Sequence, residues 1–343
     1  MTLSGTLDHA VHFGQYAALR SVFGVFHTFG VDQNMRTAAA VGRLYSRFGR
    51  RHRARAIGHI ERSFPEKSRD EVESIAERSV SSLFQMFMVE SVVIPRLLTP
   101  TSWPSFVGSS GVTGPLKLLL EDRPLLMVTG HCGNWELLGF VLALLRFRMS
   151  ALARPLDNPW LDRWIRSVRE ARGLEILTKW GATSQVQELI QARARVGFIA
   201  DQNAGDDGLF VPFFGRLASS YKSIGLLAMR YEVPIVVGSA RRIGDRFRYE
   251  LECPDIIMPN EWLVQPDPLF YITARFNRAI ETMIRQAPEQ YLWVHRRWKS
   301  RPPHEREGRP MPDRLREKLR QLPWMTDDEL QRLERRVEPI TPR

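Results

Sequence analysis

The sequence predicts an α/β protein with a mostly parallel central sheet flanked by helices, preceded by a helical N-terminal region. The first observation is length, because 343 residues can bury a sizeable core in one large domain with appendages. The second is a change of pattern near Gly111, where short apolar runs begin to alternate with helical stretches. This alternation is typical of βαβ units and therefore of a parallel sheet with helices on its faces.

The segment up to about residue 105 has a helical pattern, and we predict breaks at Pro65 and Pro95. Its clearest helix follows Ser68, an N-cap candidate with acidic residues in the next turn. An aromatic-rich stretch over residues 9–31 has Arg20 in its middle, and a charge at the centre of a spanning helix costs roughly 2.5–3.5 kcal/mol. We interpret this stretch as an interfacial or core-packed helix rather than a membrane span.

Many arginines follow between residues 42 and 64, and an aromatic helix followed by a basic cluster resembles a surface anchor for anionic lipid. The alternative is an amphipathic helix that covers the core. We define three predicted regions: a membrane-associating helical region at 1–105, an α/β core at 106–303, and a charged tail at 304–343. The tail is expected to be loose, with one short helix near residues 326–337.

The predicted strands lie at residues 124–130, 150–154, 174–179, 197–202, 234–242 and 246–253. The last two are interpreted as an antiparallel hairpin, and the others are separated by helical stretches. In parallel α/β sheets, ligands bind beyond the carboxyl ends of the strands. That rule selects three segments that each follow a predicted strand: "TGHCGNW", "ARPLDNP" and "ADQNAG".

The net charge of +11 and a pI of about 10.1 indicate an anionic partner such as nucleic acid, an anionic membrane or a CoA-like ligand. A solvated Arg-rich surface is the alternative. Nucleic-acid binding is disfavoured because the aromatic residues lie in helices among apolar neighbours, not interleaved with basic residues on a sheet. The only cysteines, Cys132 and Cys253, exclude a disulfide framework and a zinc ribbon, and they fit a reducing, cytoplasmic-side environment.

The stretch "TGHCGNWELLG" permits four interpretations: a metal site, a thiol nucleophile, a histidine–carboxylate pair or a tight turn. Zinc sites need three or four ligands at recognisable spacing, and none accompany His131 and Cys132. These two neighbours should also point in opposite directions at the end of a strand, which disfavours a Cys132 nucleophile activated by His131. We therefore expect no metal, and buried packing for Cys132.

The histidine–carboxylate interpretation fits the spacing better. Asn134 is a good N-cap residue, so a helix should open at Trp135 and place Glu136 in its first turn. From there Glu136 can fold back towards His131, fix its tautomer and leave the other ring nitrogen free to take a proton from a hydroxyl. A histidine that merely caps a turn remains the alternative.

His-x4-Glu in this stretch resembles the His-x4-Asp/Glu signature of the lysophospholipid acyltransferase superfamily. More narrowly, the chain resembles the bacterial lipid A late acyltransferases (lauroyl and myristoyl transferases) and the phosphatidylinositol mannoside acyltransferase. Four further blocks recur in the right order, and the resemblance spans roughly residues 10–305. The blocks are "ARPLDNPWLDRWI", "GFIADQNAGDDGLFVPFFGRLASS", "LAMRYEVPIVVGSARR" and "QYLWVHRRWKSRPP".

This resemblance implies a glycerol-3-phosphate acyltransferase-like αβα sandwich and an O-acyltransferase. An acyl chain would pass from acyl carrier protein or acyl-CoA to a hydroxyl of an anionic membrane glycolipid such as a lipid A precursor, at the cytoplasmic face of the inner membrane. No cofactor beyond the acyl thioester, and no acyl-enzyme, is implied. His131 would be the general base and Glu136 its partner, with Asp201 competing for that role. Other implied possibilities are a different lipid acceptor, such as a lysophospholipid, and a non-catalytic lipid-binding relative.

The resemblance also implies residues that meet the substrate. Where many relatives have Asp-x-Asp, this chain keeps Asp201 but has Asn203, so a catalytic role of the second acid would be missing. Phe213, Phe214 and Gly215 would line the acyl tunnel or pack in the core, and His295 is interpreted as structural. The candidate substrate-binding residues are Asn134, Arg154, Arg169 or Arg172, Asn203, Arg296 with its neighbour Arg297, and Lys299.

Overall fold

The computed structural model describes residues 3–121, 123–178 and 182–334. Its α-helices are α1 Leu3–Phe26, α2 Val31–Phe48, α3 Arg50–Ser63, α4 Arg69–Gln85, α5 Ser91–Leu97, α6 Thr113–Leu120, α7 Trp135–Leu144, α8 Pro159–Arg169, α9 Ala182–Gln191, α10 Ser223–Tyr231, α11 Pro259–Leu263, α12 Pro268–Gln286, α13 Pro303–Arg306, α14 Asp313–Arg320 and α15 Asp327–Glu334. Its strands are β1 Val107–Gly108, β2 Leu125–Thr129, β3 Met149–Ala153, β4 Leu174–Thr178, β5 Arg195–Ile199, β6 Leu209–Phe213, β7 Arg216–Ser220, β8 Ile235–Arg242 and β9 Tyr249–Ile257.

Among the described residues, seven strands form the central sheet in the order β1-β9-β8-β2-β5-β3-β4, and a separate two-stranded sheet joins β6 to β7. Within the central sheet every pairing is parallel except that of β8 with β9. The mostly parallel α/β fold is therefore confirmed, and β8 and β9 form the predicted antiparallel pair. The β6–β7 hairpin was not predicted.

The N-terminal helices share their buried residues with the sheet domain. Met35 and Ala38 of α2 lie in one apolar cluster with Leu137 and Phe140 of α7. Ser68 caps α4 as predicted, because its hydroxyl accepts from the Glu71 N–H while the Glu71 carboxylate accepts from the Ser68 N–H.

Of the two predicted breaks in this region, Pro65 lies between α3 and α4, but Pro95 does not end a helix. Instead α4 continues through a π-helical turn, Met86–Glu90, into α5, and Pro95 is inside α5. Insertion of one residue in such a turn re-aims the side chains around it, and π-turns are often found at functional sites.

The stretch around Arg20 forms α1, which packs against α8. The Arg20 guanidinium lies over the Trp164 ring, 4.9 Å from its centroid, so the charge is accommodated by a cation–π contact. Among the described residues, one continuous helical run, Arg69–Leu97, is long and apolar enough to cross a membrane. Of its most apolar window, 44% is buried inside the protein, which is the behaviour of a core helix as well.

The C-terminal segment packs against the core up to residue 334, so the prediction of a loose tail is wrong for this part of the chain. Leu319 of α14 and Leu330 and Leu333 of α15 are buried and belong to the main apolar cluster. Lys318 also pairs with Asp267 at the start of α12, with an Nζ–Oδ2 distance of 2.6 Å. The predicted helix near residues 326–337 is present as α15, and its last predicted residues lie outside the described ones.

Candidate active site

Two neighbouring parallel strands bring a histidine and an aspartate together. Thr129 at the end of β2 is paired with Ile199 at the end of β5, so the loops that follow both strands meet at one edge of the sheet. There His131 Nδ1 lies 2.7 Å from Asp201 Oδ1, and the His131 backbone N–H donates to Asp201 Oδ2 at 3.0 Å. The carboxylate therefore holds both the ring and the main chain of the histidine.

The pair is buried and its charges are coupled. Burial alone would raise the pKa of the Asp201 carboxyl, but the charge and the hydrogen bonds of His131 lower it to about 2. Burial pulls the pKa of His131 down, but the attraction and hydrogen bond of Asp201 outweigh it, with a further contribution from Glu136, so the pKa is raised above 6.5. Because an ionised carboxylate only accepts, Nδ1 carries the proton and Nε2 presents its lone pair.

The expectation that Glu136 orients His131 is wrong. Glu136 turns away from the imidazole and accepts two bonds from Arg169 at the end of α8, at 2.7 Å for Nε–Oε2 and 2.5 Å for Nη2–Oε1. Bidentate pairing of this kind is strong and directional, so the carboxylate is committed to the guanidinium. Asp201, the competing residue, is the partner of His131.

Asn134 is also placed differently from its expected substrate-binding role. It is fully buried and caps α7 as predicted, because its Oδ1 accepts from the Leu137 N–H at 2.8 Å. Its Nδ2 donates to Glu90 Oε2 at 2.9 Å, and Glu90 in turn accepts from Arg242 Nη1 at 2.7 Å. Asn134 thus fixes the loop after β2 to a buried ion pair and is not available to a ligand.

Asn203, where many relatives of the resembled family have a second acid, is bonded to other parts of the chain. Its side chain exchanges two 3.2 Å bonds with the backbone N–H and hydroxyl of Ser300. Its backbone N–H donates to Nε2 of His295 at 3.4 Å, and the His295 ring is stacked 6.4 Å from the His131 ring. In this structure the Asn203 side chain is thus bonded to Ser300, and the His131–Asp201 pair forms without a second acid at this position.

The remaining predicted basic residues do not converge on the imidazole. Arg154 follows β3 at the same sheet edge, but 80% of its side chain is exposed and its ion pair is with Asp157. Arg172, Arg296 and Lys299 are exposed on the surface. Arg297, by contrast, is buried, and donates to Ser219 O at 2.5 Å and to Asn277 Oδ1 at 2.9 Å, so it cannot meet a headgroup.

Cys132 is 3% exposed, and burial raises the pKa of its thiol, so it stays protonated and packs in the core. Phe213 and Phe214 are buried against Trp298 and Trp293, which supports core packing rather than a tunnel wall. Across the described ranges, with the gaps at 122 and 179–181, no three His, Cys, Asp or Glu side chains are grouped to hold a metal.

An apolar cavity of about 460 Å³ begins at the Glu136–Arg169 pair, and sequence reasoning missed it. It lies between α1, α8 and the helix that leads into α5. The Trp135 ring is adjacent to both the imidazole and the cavity wall, at 4.9 Å from the His131 ring and 6.4 Å from the Phe87 ring. The apolar side chains that line it are Leu19, Val22, Phe23, Phe26, Phe87, Met88, Leu156, Leu161, Trp164, Ile165 and Val168.

Comparison with known proteins gives one consistent group. A family model described as "Bacterial lipid A biosynthesis acyltransferase" matches residues 4–300. The chain is 27% identical over 270 residues to a lipid A biosynthesis palmitoleoyltransferase of Escherichia coli, covering 76% of this chain and 83% of the relative. It is 25% identical over 280 residues to the lauroyltransferase of the same organism, covering 78% and 85%, and 25% identical over 281 residues to the myristoyltransferase, covering 78% and 81%.

Proposed function

Because this chain belongs to the bacterial lipid A biosynthesis acyltransferase family, and is therefore an acyltransferase, we propose that it passes a fatty acyl chain from a thioester to a hydroxyl of a lipid A precursor with His131 as general base. The observation that carries this proposal is the 2.7 Å contact of His131 Nδ1 with the buried Asp201. A complete base–orienter pair also argues against a non-catalytic lipid-binding relative.

In this mechanism Nε2 of His131 takes the proton of the acceptor hydroxyl as its oxygen attacks the thioester carbonyl. Asp201 holds the tautomer and stabilises the imidazolium that forms. The tetrahedral oxyanion is met by the N–H groups at the start of α7 or by Arg169, which lines the cavity. Collapse breaks the C–S bond, and the imidazolium returns its proton to the leaving thiolate.

The acyl chain occupies the apolar cavity. Its volume of about 460 Å³ falls within the roughly 300–1,000 Å³ of typical ligand pockets, and nearly all of its wall is hydrocarbon or aromatic. The polar Glu136–Arg169 pair marks the end at which the thioester is bound. The acyl donor is acyl carrier protein or CoA, whose phosphates would meet exposed basic residues such as Arg296 and Lys299.

The enzyme acts as a peripheral protein at the inner face of the membrane. Val25 and Phe29 are exposed at and just after the end of α1, and Phe48 is 78% exposed at the end of α2. Exposed apolar side chains beside a run of arginines suit an anionic lipid surface. This placement would bring the opening of the cavity, which α1 borders, close to the lipid acceptor.

Mass spectrometry of membrane lipids tests the function. Extracts from cells with the gene, without it, and with His131→Ala in its place should differ by one acyl chain on lipid A, absent in the last two. The lost mass gives the chain and the acceptor together. Identical lipid A in all three strains would contradict the proposal.

A further inference from the structure

The amide of Gln202 lies at the catalytic nitrogen of His131. Its Nε2 is 3.4 Å from Nε2 of the imidazole, on the opposite side of the ring from Asp201. Two successive residues of one loop therefore contact the two ring nitrogens, Asp201 at Nδ1 and Gln202 at Nε2. Because Nδ1 carries the proton, the lone pair of Nε2 is the acceptor and the Gln202 amide is the donor.

The main chain around Gln202 is fixed, while among the described residues its side chain has this one long hydrogen bond. The Gln202 carbonyl accepts from the buried Arg297, at 3.4 Å. On one side Asp201 is bonded to His131, and on the other Asn203 is bonded to Ser300. A hydrogen bond at this distance is weak, so a better partner displaces the amide without moving the loop.

We propose that Gln202 guards the general base, so that His131 is occupied until the acceptor hydroxyl displaces the amide. This inference rests on the proposed function, since it assumes that Nε2 must take a proton. A hydroxyl has to approach within roughly 2.6–3.2 Å of Nε2 to be deprotonated, and the amide stands in that space. A glycolipid anchored by its other contacts can displace it, whereas a single water molecule has only this hydrogen bond to gain.

By occupying Nε2 of His131, the Gln202 amide suppresses hydrolysis of the acyl thioester by water. An unguarded His131 would take a proton from water, whose oxygen would form a bond to the acyl carbonyl carbon. The C–S bond would break, the imidazolium would protonate the thiolate, and the products would be a free fatty acid and a thiol. The role of Gln202 is therefore positioning and selectivity: it favours transfer to the hydroxyl over hydrolysis of the thioester.

Variants at Gln202 separate a guard from a structural residue. Gln202→Ala should raise thioester hydrolysis without acceptor about two- to threefold, the ratio that corresponds to the lower end of the net strength of one hydrogen bond. Gln202→Met keeps the side-chain volume but cannot donate a hydrogen bond. A rise in hydrolysis in both Gln202→Met and Gln202→Ala therefore assigns the effect to the hydrogen bond. Gln202→Glu places a carboxylate at Nε2 and should move the acid limb of the pH–rate profile, and the imidazole pKa measured by NMR, upwards.

The assay follows thiol release from long-chain acyl-CoA and acyl carrier protein thioesters by the full-length protein, with and without lipid A precursor. Unchanged thioester hydrolysis in Gln202→Ala and Gln202→Met, or an unchanged His131 pKa in Gln202→Glu, would contradict the proposed role of Gln202. Either result would leave the proposed function of the protein unaffected. His131→Ala is the separate control: if it transfers acyl chains at the normal rate, the general-base mechanism is wrong, and the guard with it.

Discussion

Replacing Asp201 with Asn tests whether this carboxylate is the orienter of His131. A carboxylate accepts from both the ring and the backbone N–H of His131, at 2.7 and 3.0 Å, whereas a carboxamide has one acceptor oxygen. Loss of a hydrogen bond to a charged group costs roughly 1.5–3 kcal/mol, so kcat should fall by about 10- to 150-fold. If the amide donates to Nδ1 and leaves the proton on Nε2, the loss should reach about 10⁴-fold, the upper end for general-base catalysis.

The assay is steady-state acyl transfer across pH, with Glu136→Gln as the matched control. Asp201→Asn should leave KM for both substrates nearly unchanged. It should shift the acid limb of the kcat–pH profile to lower pH, because the carboxylate that raises the pKa of His131 is gone. Glu136→Gln should lower kcat less and should raise KM for the acyl donor, since it loosens Arg169 at the cavity. If Asp201→Asn leaves kcat unchanged while Glu136→Gln lowers it severely, the assignment of Asp201 as the partner of His131 is refuted.

Three further predictions follow from the described contacts. In the wild type, activity should rise as pH increases through a value above 6.5, because the proposed general base His131 would act when neutral and its pKa is raised; a kcat profile that is flat from pH 6 to 8 would contradict this. Glu90→Ala should lower the free energy of unfolding, measured by denaturant melts, by about 3–5 kcal/mol, since it leaves Arg242 buried without its carboxylate partner. The double variant Glu90→Leu with Arg242→Met should recover much of this lost stability. Ile165→Trp should fill part of the cavity and shorten the preferred acyl chain in a competition assay with thioesters of different length, whereas an unchanged preference would place the chain elsewhere.

The sheet edge that carries the site could be predicted because it depends on local patterns. The apolar runs before His131 and Asp201 are strands, and the carboxyl ends of adjacent parallel strands meet. Strand order was not available from the sequence, and it is the adjacency of β2 and β5 that selects Asp201 over Glu136.

Long-range partners explain most of the errors. Glu136 was placed correctly in the first turn of α7, but its direction is decided by Arg169, which lies 33 positions later. The Asn134 cap was predicted, whereas its contact with Glu90, 44 positions away, was not. In the tail the high charge concealed the apolar positions, although Leu319, Leu330 and Leu333 all point into the core.

The most direct test of the account is single-turnover transfer by purified wild type and His131→Ala, read as the mass of the lipid A precursor. The wild type should add one acyl chain as an ester. His131→Ala should add none, although its circular dichroism and its binding of the acyl donor are unchanged. A His131→Ala protein that acylates the precursor at the wild-type rate would contradict the central claim.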